Sequence, residues 1–289
     1  MHSFIRLLRL RHWVKNSIIF APVLFSKQFL NPLILIKAWA GFFGLCAIAS
    51  LVYLINDFVD IEKDRQHPIK RERPLASGAV RPLEAMVLAV VLVGLAFLPA
   101  IILGRQFGLI LVLYVINNLL YSLWLKNKVI LDAMTIAVGF YLRMLAGVAV
   151  CQVIPSAWIL LATFFVALFL AFGKRRAELL QLGDEAKVHR TVLGSYTKNF
   201  LDQILVILAT MIILTYSLYA YSDYARLRFG TEALVYTIPF VIYGIFRYFY
   251  LIQNSSRESD PILLLTQDKP SGVCLLLWLI SSVLIIYRY

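Results

Sequence analysis

The chain has 289 residues, of which 61% are hydrophobic and 15% charged, and its mean hydropathy is +0.80. Those values exclude an ordinary water-soluble globular domain and describe an integral membrane protein. The net charge of +12 has a sufficient source in membrane topology and attraction to anionic headgroups, so no nucleic-acid partner is expected.

The N-terminal stretch "MHSFIRLLRLRHWVKN" lacks a small-residue cleavage site and reads as a retained interfacial segment. Apolar runs long enough to cross about 30 Å of hydrocarbon follow near 14–30, 33–57, 83–104, 107–125, 129–150, 155–173, 200–221, 233–252 and 271–288. The first is interrupted by Pro22 and Lys27. Pro82, ahead of Leu83 and Glu84, predicts a helix start, with proline in the first turn and a carboxylate at the positive end; Pro155 is a second such position. The expectation is a single all-α domain over 1–289, a polytopic membrane bundle of about nine transmembrane helices.

Lys and Arg stay preferentially on the cytoplasmic side of short loops. With the N-terminus inside, 21 of the 28 Lys and Arg residues fall on that side, Arg143 lies within a span, and six fall outside. An odd number of helices then places the C-terminus outside a cell membrane. Cys46, Cys151 and Cys274 are isolated in or near apolar runs, and His2, His12, His67 and His189 form no ligand pattern. No Gly-rich phosphate loop and no Ser/His/Asp signature is visible.

Chemistry is therefore expected in the two long charged inside loops, 58–81 and 174–199, which would form the active-site face. Asp57, Asp60 and Asp64 stand at i, i+3 and i+7, within roughly a 60° arc of one helical face. Carboxylates stacked so closely repel one another unless a cation joins them, and Mg²⁺ binds through oxygen ligands while sharing its shell with substrate phosphates. An acidic turn neutralised by its basic neighbours is the competing reading. The carboxylates begin where an apolar helix ends, and ionisable residues at membrane depth are usually functional. Lys70, Arg71 and Arg73 follow between Pro68 and Pro74, prolines that predict an extended loop. Acid followed by base suits a substrate with two anionic parts, a diphosphate held through Mg²⁺ and a phosphate held by guanidinium groups. A positive-inside loop has the same spacing. In "GKRRAELLQLGDEAKVHRTVLGSYTKN", Lys174, Arg175 and Glu178 share a helical face, although Lys174 to Arg176 also suit a basic stop after the sixth helix.

The stretch "YLINDFVDIEKDRQHPIKRERPLASG" at 53–78 contains the pattern NDxxDxxxD as Asn56, Asp57, Asp60 and Asp64. In this the chain resembles the UbiA superfamily of intramembrane prenyltransferases. Together with "RHWVKN" at 11–16, "FYLRMLAG" at 140–147, "GKRRAEL" at 173–179 and "SYT" at 195–197, it is most similar to the branch of decaprenyl-phosphate phosphoribosyltransferases that serve cell-wall biosynthesis. The aromatic prenyltransferases of the superfamily carry a second Asp-rich motif after the sixth helix, where this chain has Lys174, Arg175, Arg176 and Glu178. Cations there favour a donor with an additional phosphate.

The resemblance implies a UbiA-type helix bundle and a Mg²⁺-dependent transfer of 5-phosphoribose from phosphoribosyl diphosphate to a polyprenyl phosphate. It implies Asp57, Asp60 and Asp64 as metal ligands. The candidate anion contacts are Lys15, Asn16, Asn56, Lys70, Arg71 and Arg73, with Arg143, Lys174, Arg175 and Tyr196 closing the pocket; an Arg143–Asp132 ion pair is the structural alternative for Arg143. A homo-oligomer is compatible with the branch. Transfer of a prenyl group from an allylic diphosphate to an aromatic or other acceptor, and membrane transport, are the other two function classes. Charge at one face argues against transport, whose sites lie near the midplane.

Overall fold

The computed structural model describes residues 2–66, 70–182, 191–254, 264–265 and 267–288. Among these there is no strand, and eight helices are long and apolar enough to cross a membrane, close to the nine expected. His67, Pro68, Lys187, His189, Arg190 and Arg257 lie outside the described residues.

The run near 14–30 is where sequence and structure differ most. A short helix α1 (His2–Leu8) precedes it, and the run itself falls on a 3-10 segment (Leu10–Ile19) and α2 (Phe20–Phe25). Arg9 and Lys27, both left-handed at φ 50° and 58°, flank the 3-10 segment and α2. At about 2.0 Å per 3-10 residue and about 1.5 Å per α residue, the two reach about 29 Å. Laid end to end, that equals the hydrocarbon thickness, although the run is not one α-helix.

Helix α3 (Pro32–Val59) starts at Asn31, whose Oδ1 accepts from the N–H of Leu33 and Ile34 at 3.1 and 3.4 Å, with Pro32 in the first turn. After α4 (Ile61–Gln66), α5 (Pro82–Leu103) begins as expected: Glu84 accepts the Arg81 N–H at 2.8 Å. The remaining helices are α6 (Arg105–Leu123), α7 (Leu131–Cys151), α8 (Ala157–Leu182), α9 (Lys198–Ala220), α10 (Asp223–Phe229), α11 (Ile238–Asn254) and α12 (Lys269–Arg288). Helix α8 begins two residues after Pro155, so this proline precedes the helix and does not occupy its first turn.

The chain packs as two units, Met1–Leu123 with Leu142–Val153, and Trp124–Tyr141 with Ile154–Tyr289. In the first, α3 is the central helix, with 67% of its most apolar window enclosed against 17% for α5. Leu45, Ile48, Phe107, Leu111, Ala146 and Ile19 form part of its core. Gly147 is required here because a Cβ would lie 2.3 Å from the Ile19 carbonyl oxygen, so the 3-10 backbone rests directly on α7. In the second unit Phe169, Phe172, Leu201, Leu205 and Tyr248 are buried together. The outer faces remain apolar: Leu83, Val90, Ile101 and Ile102 of α5 are exposed, as hydrocarbon contact requires.

Candidate active site

The aspartate signature does not lie on one continuous helix. Helix α3 ends at Val59, Asp60 forms the turn at φ −96° and ψ 9°, and α4 restarts at Ile61. The turn is closed by backbone bonds from Asp60 N–H to Asn56 O at 3.0 Å and from Asp64 N–H to Asp60 O at 2.8 Å. Asp57 and Asp64, each 3% exposed, still converge, while Asp60 is half-buried. Asn56 is also half-buried.

Two guanidinium groups meet these carboxylates. Arg73 donates through one nitrogen, Nη1, to Asp57 Oδ1 at 3.1 Å and to Asp64 Oδ2 at 2.7 Å. Arg9 donates through Nη2 to the same Asp57 Oδ1 at 2.5 Å and stacks 4.5 Å over the Tyr53 ring. Arg73 is aimed by its loop, which is folded and not extended as predicted. Residues 70–72 form a 3-10 turn, and the N–H groups of Ser77 and Val80 bond to the Arg73 and Pro74 carbonyls at 2.9 and 3.0 Å. Leu75, Ala76 and Val80 are buried, and the φ of a proline fits a turn as well as an extended segment. Lys70 and Arg71 remain exposed.

A second cluster of the same unit lies around Arg143. Its Nε donates to Asn16 Oδ1 at 2.7 Å and its Nη2 to the Tyr114 hydroxyl at 2.6 Å, with the guanidinium 4.9 Å over the Tyr114 ring. Asn16 also donates to Cys46 Sγ at 3.2 Å. Lys15 is half-buried beside it in sequence.

In the second unit Asp132, weighed in sequence as the ion-pair partner of Arg143, is bound instead by Arg175 and Tyr196. Its Oδ2 accepts from Arg175 Nε and its Oδ1 from the Tyr196 hydroxyl, both at 2.7 Å. Arg175 also donates to Glu178 at 2.8 Å. The Tyr196 oxygen accepts the N–H of Ile130 at 2.7 Å, a β-branched residue held at φ 69°. Burial raises the pKa of the Tyr196 phenol well above its usual value, and the hydrogen bond to the Asp132 carboxylate raises it further. Arg176 is also enclosed, donating to Asp202 and to the Ile252 carbonyl. Lys174, with 39% of its side chain exposed, is the accessible cation of the run.

The pattern of the UbiA prenyltransferase family matches residues 17–269. The chain belongs to that family. It is 32% identical to the decaprenyl-phosphate phosphoribosyltransferase of Mycolicibacterium smegmatis over 290 residues, 96% of this chain and 90% of the relative. It is 31% identical to the protein of the same name from Corynebacterium glutamicum, over 99% of this chain and 87% of the relative. Its fold is similar to that of a UbiA homolog from Archaeoglobus fulgidus bound to GPP and Mg²⁺, with a TM-score of 0.71 at 20% identity, over 98% and 99% of the two chains.

Two residues of this UbiA-family chain escaped the sequence reading, Arg9 and Tyr114, as partners of the candidate groups, whereas Glu178, placed on the face of Lys174 and Arg175 by its spacing, does bind Arg175. Only Arg9 had a signal, its place in the basic run before "RHWVKN". Hard oxygen donors converging on one cationic nitrogen suit a divalent ion chemically. Among the described residues no three His, Cys, Asp or Glu side chains form a preassembled ligand set.

Proposed function

We propose that this chain is a membrane phosphoribosyltransferase that moves 5-phosphoribose from phosphoribosyl diphosphate to a polyprenyl phosphate, releasing diphosphate. The observation that carries this reading is the near-full-length likeness to decaprenyl-phosphate phosphoribosyltransferases. Buried Asp57 and Asp64 and the accessible cation Lys174 support it.

In this reading Asp57 and Asp64, assisted by Asp60, would hold Mg²⁺ beside the donor diphosphate. When bound, the ion offsets negative charge on the leaving diphosphate. Arg73, whose side chain is 30% exposed, turns from the carboxylates to the phosphate oxygens, where a guanidinium binds in a forked geometry. Asn56, Lys70 and Arg71 add contacts at the same end of α3, and Lys15, Asn16 and Arg143 form a further anion-binding group in the first unit. In the second unit Lys174 is the anion contact, while Arg175 and Tyr196 order their surroundings. The C1–diphosphate bond breaks with its electron pair leaving on diphosphate, and an oxygen of the lipid phosphate forms the new bond to C1. A phosphate monoester is largely ionised near pH 7, so this nucleophile needs no strong base. With the run near 14–30 counted as a ninth crossing beside the eight long apolar helices, the bias of Lys and Arg places the N-terminus inside and the C-terminus outside.

The test is mass spectrometry of lipid products from purified protein given polyprenyl phosphate, phosphoribosyl diphosphate and Mg²⁺, beside a parallel reaction with an allylic diphosphate and an aromatic acceptor. A phosphoribosylated lipid that forms only with Mg²⁺ is expected. Product in the second reaction alone would replace this function with prenyl transfer.

A further inference from the structure

The acidic site already contains its own cations. Asp57 and Asp64 contribute two negative charges, and Arg9 and Arg73 bring two positive ones to the same oxygens. Both carboxylates are nearly enclosed, with 4% and 5% of their side chains exposed, so charge imbalance there is weakly screened by solvent. A divalent ion entering alone would add two positive charges to this neutral set of four side chains, an excess that the half-buried Asp60 offsets only in part, and would displace both guanidiniums. The same ion arriving with a diphosphate brings several negative charges and provides phosphate oxygens for those guanidiniums.

We propose that Arg9 and Arg73 are resident counter-cations that keep a free divalent ion off Asp57 and Asp64, so that metal and diphosphate bind only together. The proposal rests on the metal-assisted reading of this site but not on the identity of the donor's sugar or of the lipid. The two arginines reach the site from opposite sides in sequence. Arg73 comes from the folded turn at 70–81, and Arg9 from the left-handed junction between α1 and the 3-10 segment. Arg9 has a second resting place, the Tyr53 ring at 4.5 Å, which retains a cation over an aromatic face once Asp57 is taken up. Exchange of partners therefore couples ligand entry to the N-terminal segment.

The experiment measures Mn²⁺ bound to the full chain in detergent, by equilibrium dialysis and electron paramagnetic resonance, with and without inorganic pyrophosphate. An Asp57→Asn/Asp64→Asn chain is the blank. In the unaltered protein, pyrophosphate is expected to tighten Mn²⁺ binding about tenfold or more. Arg73→Gln and Arg9→Gln should each tighten binding of Mn²⁺ alone by about the same factor and shrink the gain from pyrophosphate. Arg73→Lys, which retains the charge, should stay near the unaltered protein, and tightening of metal-alone binding in it to the level of Arg73→Gln would overturn the counter-cation role. Equal Mn²⁺ affinity with and without pyrophosphate, or metal-alone binding that is unchanged or weaker in both Gln variants, overturns the proposal. Absence of Mn²⁺ from every variant overturns it together with the metal site. A chain that passes this test but makes no ribosylated lipid keeps the exchange and loses only the proposed donor.

Discussion

Arg175 is bound to Asp132 through its Nε at 2.7 Å, with 1% and 0% of the two side chains exposed. Removing one partner of a pair so enclosed leaves a buried charge with its compensation lost, at a cost of about 3–5 kcal/mol. Arg175→Ala and Asp132→Ala should therefore lower the melting temperature in detergent markedly. Lys174→Ala should leave it nearly unchanged and instead raise the KM for phosphoribosyl diphosphate about 10- to 150-fold, the loss of one charge-assisted hydrogen bond. A two-substrate kinetic matrix with thermal melts separates the two residues. Equal and small kinetic effects would return Lys174 to a topological role. Arg176→Ala is a stability variant too, since Arg176 is buried against Asp202 and the Ile252 carbonyl.

Asp57→Asn and Asp64→Asn should each lower turnover about a hundredfold or more, because electrostatic and metal contributions are worth several kcal/mol. Asparagine retains the shape and part of the hydrogen bonding, so circular dichroism should remain helical. Mg²⁺-dependent turnover surviving in a folded Asp57→Asn/Asp60→Asn/Asp64→Asn chain would remove the proposed metal site.

Tyr196→Phe deletes the oxygen that accepts the Ile130 N–H and donates to Asp132, and should cost about 1–3 kcal/mol. Ile130→Gly should recover part of that loss, since glycine occupies φ 69° without the penalty of a β-branched side chain. The raised phenol also sets a pH window. Its contribution is complete below the ordinary tyrosine pKa of about 10 and is lost as pH rises from there through the higher folded value. The melting temperature of Tyr196→Phe should thus fall less steeply above about pH 10 than that of the parent; identical slopes would remove this assignment.

Asp268 begins α12: its Oδ2 accepts the Ser271 N–H at 2.9 Å and the Ser271 hydroxyl at 2.7 Å, while Arg247 grips both carboxylate oxygens. The Arg247 hydrogen bonds come first, followed by those from Ser271, in holding this carboxyl well below the usual carboxylate range. Its contribution is present above about pH 4 and is lost as pH falls through the lowered value. Asp268→Ala should cost about 0.5–2 kcal/mol and speed amide exchange at the start of α12. Unchanged exchange in residues 269–272 would show that Arg247 and Ser271 do not need it.

The order of helices was legible from sequence because burial in hydrocarbon acts on each run of about 20 residues by itself. The start of α5 was legible for the same reason: Pro82 and Glu84 act within one turn of their own backbone. The family signature, too, is contiguous over Asn56–Asp64. Partnership was not legible. Arg9 reaches Asp57 across 48 residues, Arg175 reaches Asp132 across 43, and Arg143 reaches Asn16 across 127. Nothing in the spacing of a run of cations says which one will be enclosed against a carboxylate, so Arg175 and Lys174 look alike in sequence and differ in the fold. The break at Asp60 was hidden in the same way, because a uniform helix and a helix–turn–helix place Asp57 and Asp64 equally close in the chain. Only packing of the 70–81 turn, with Arg73 between the two carboxylates, decided which aspartates face a common cation.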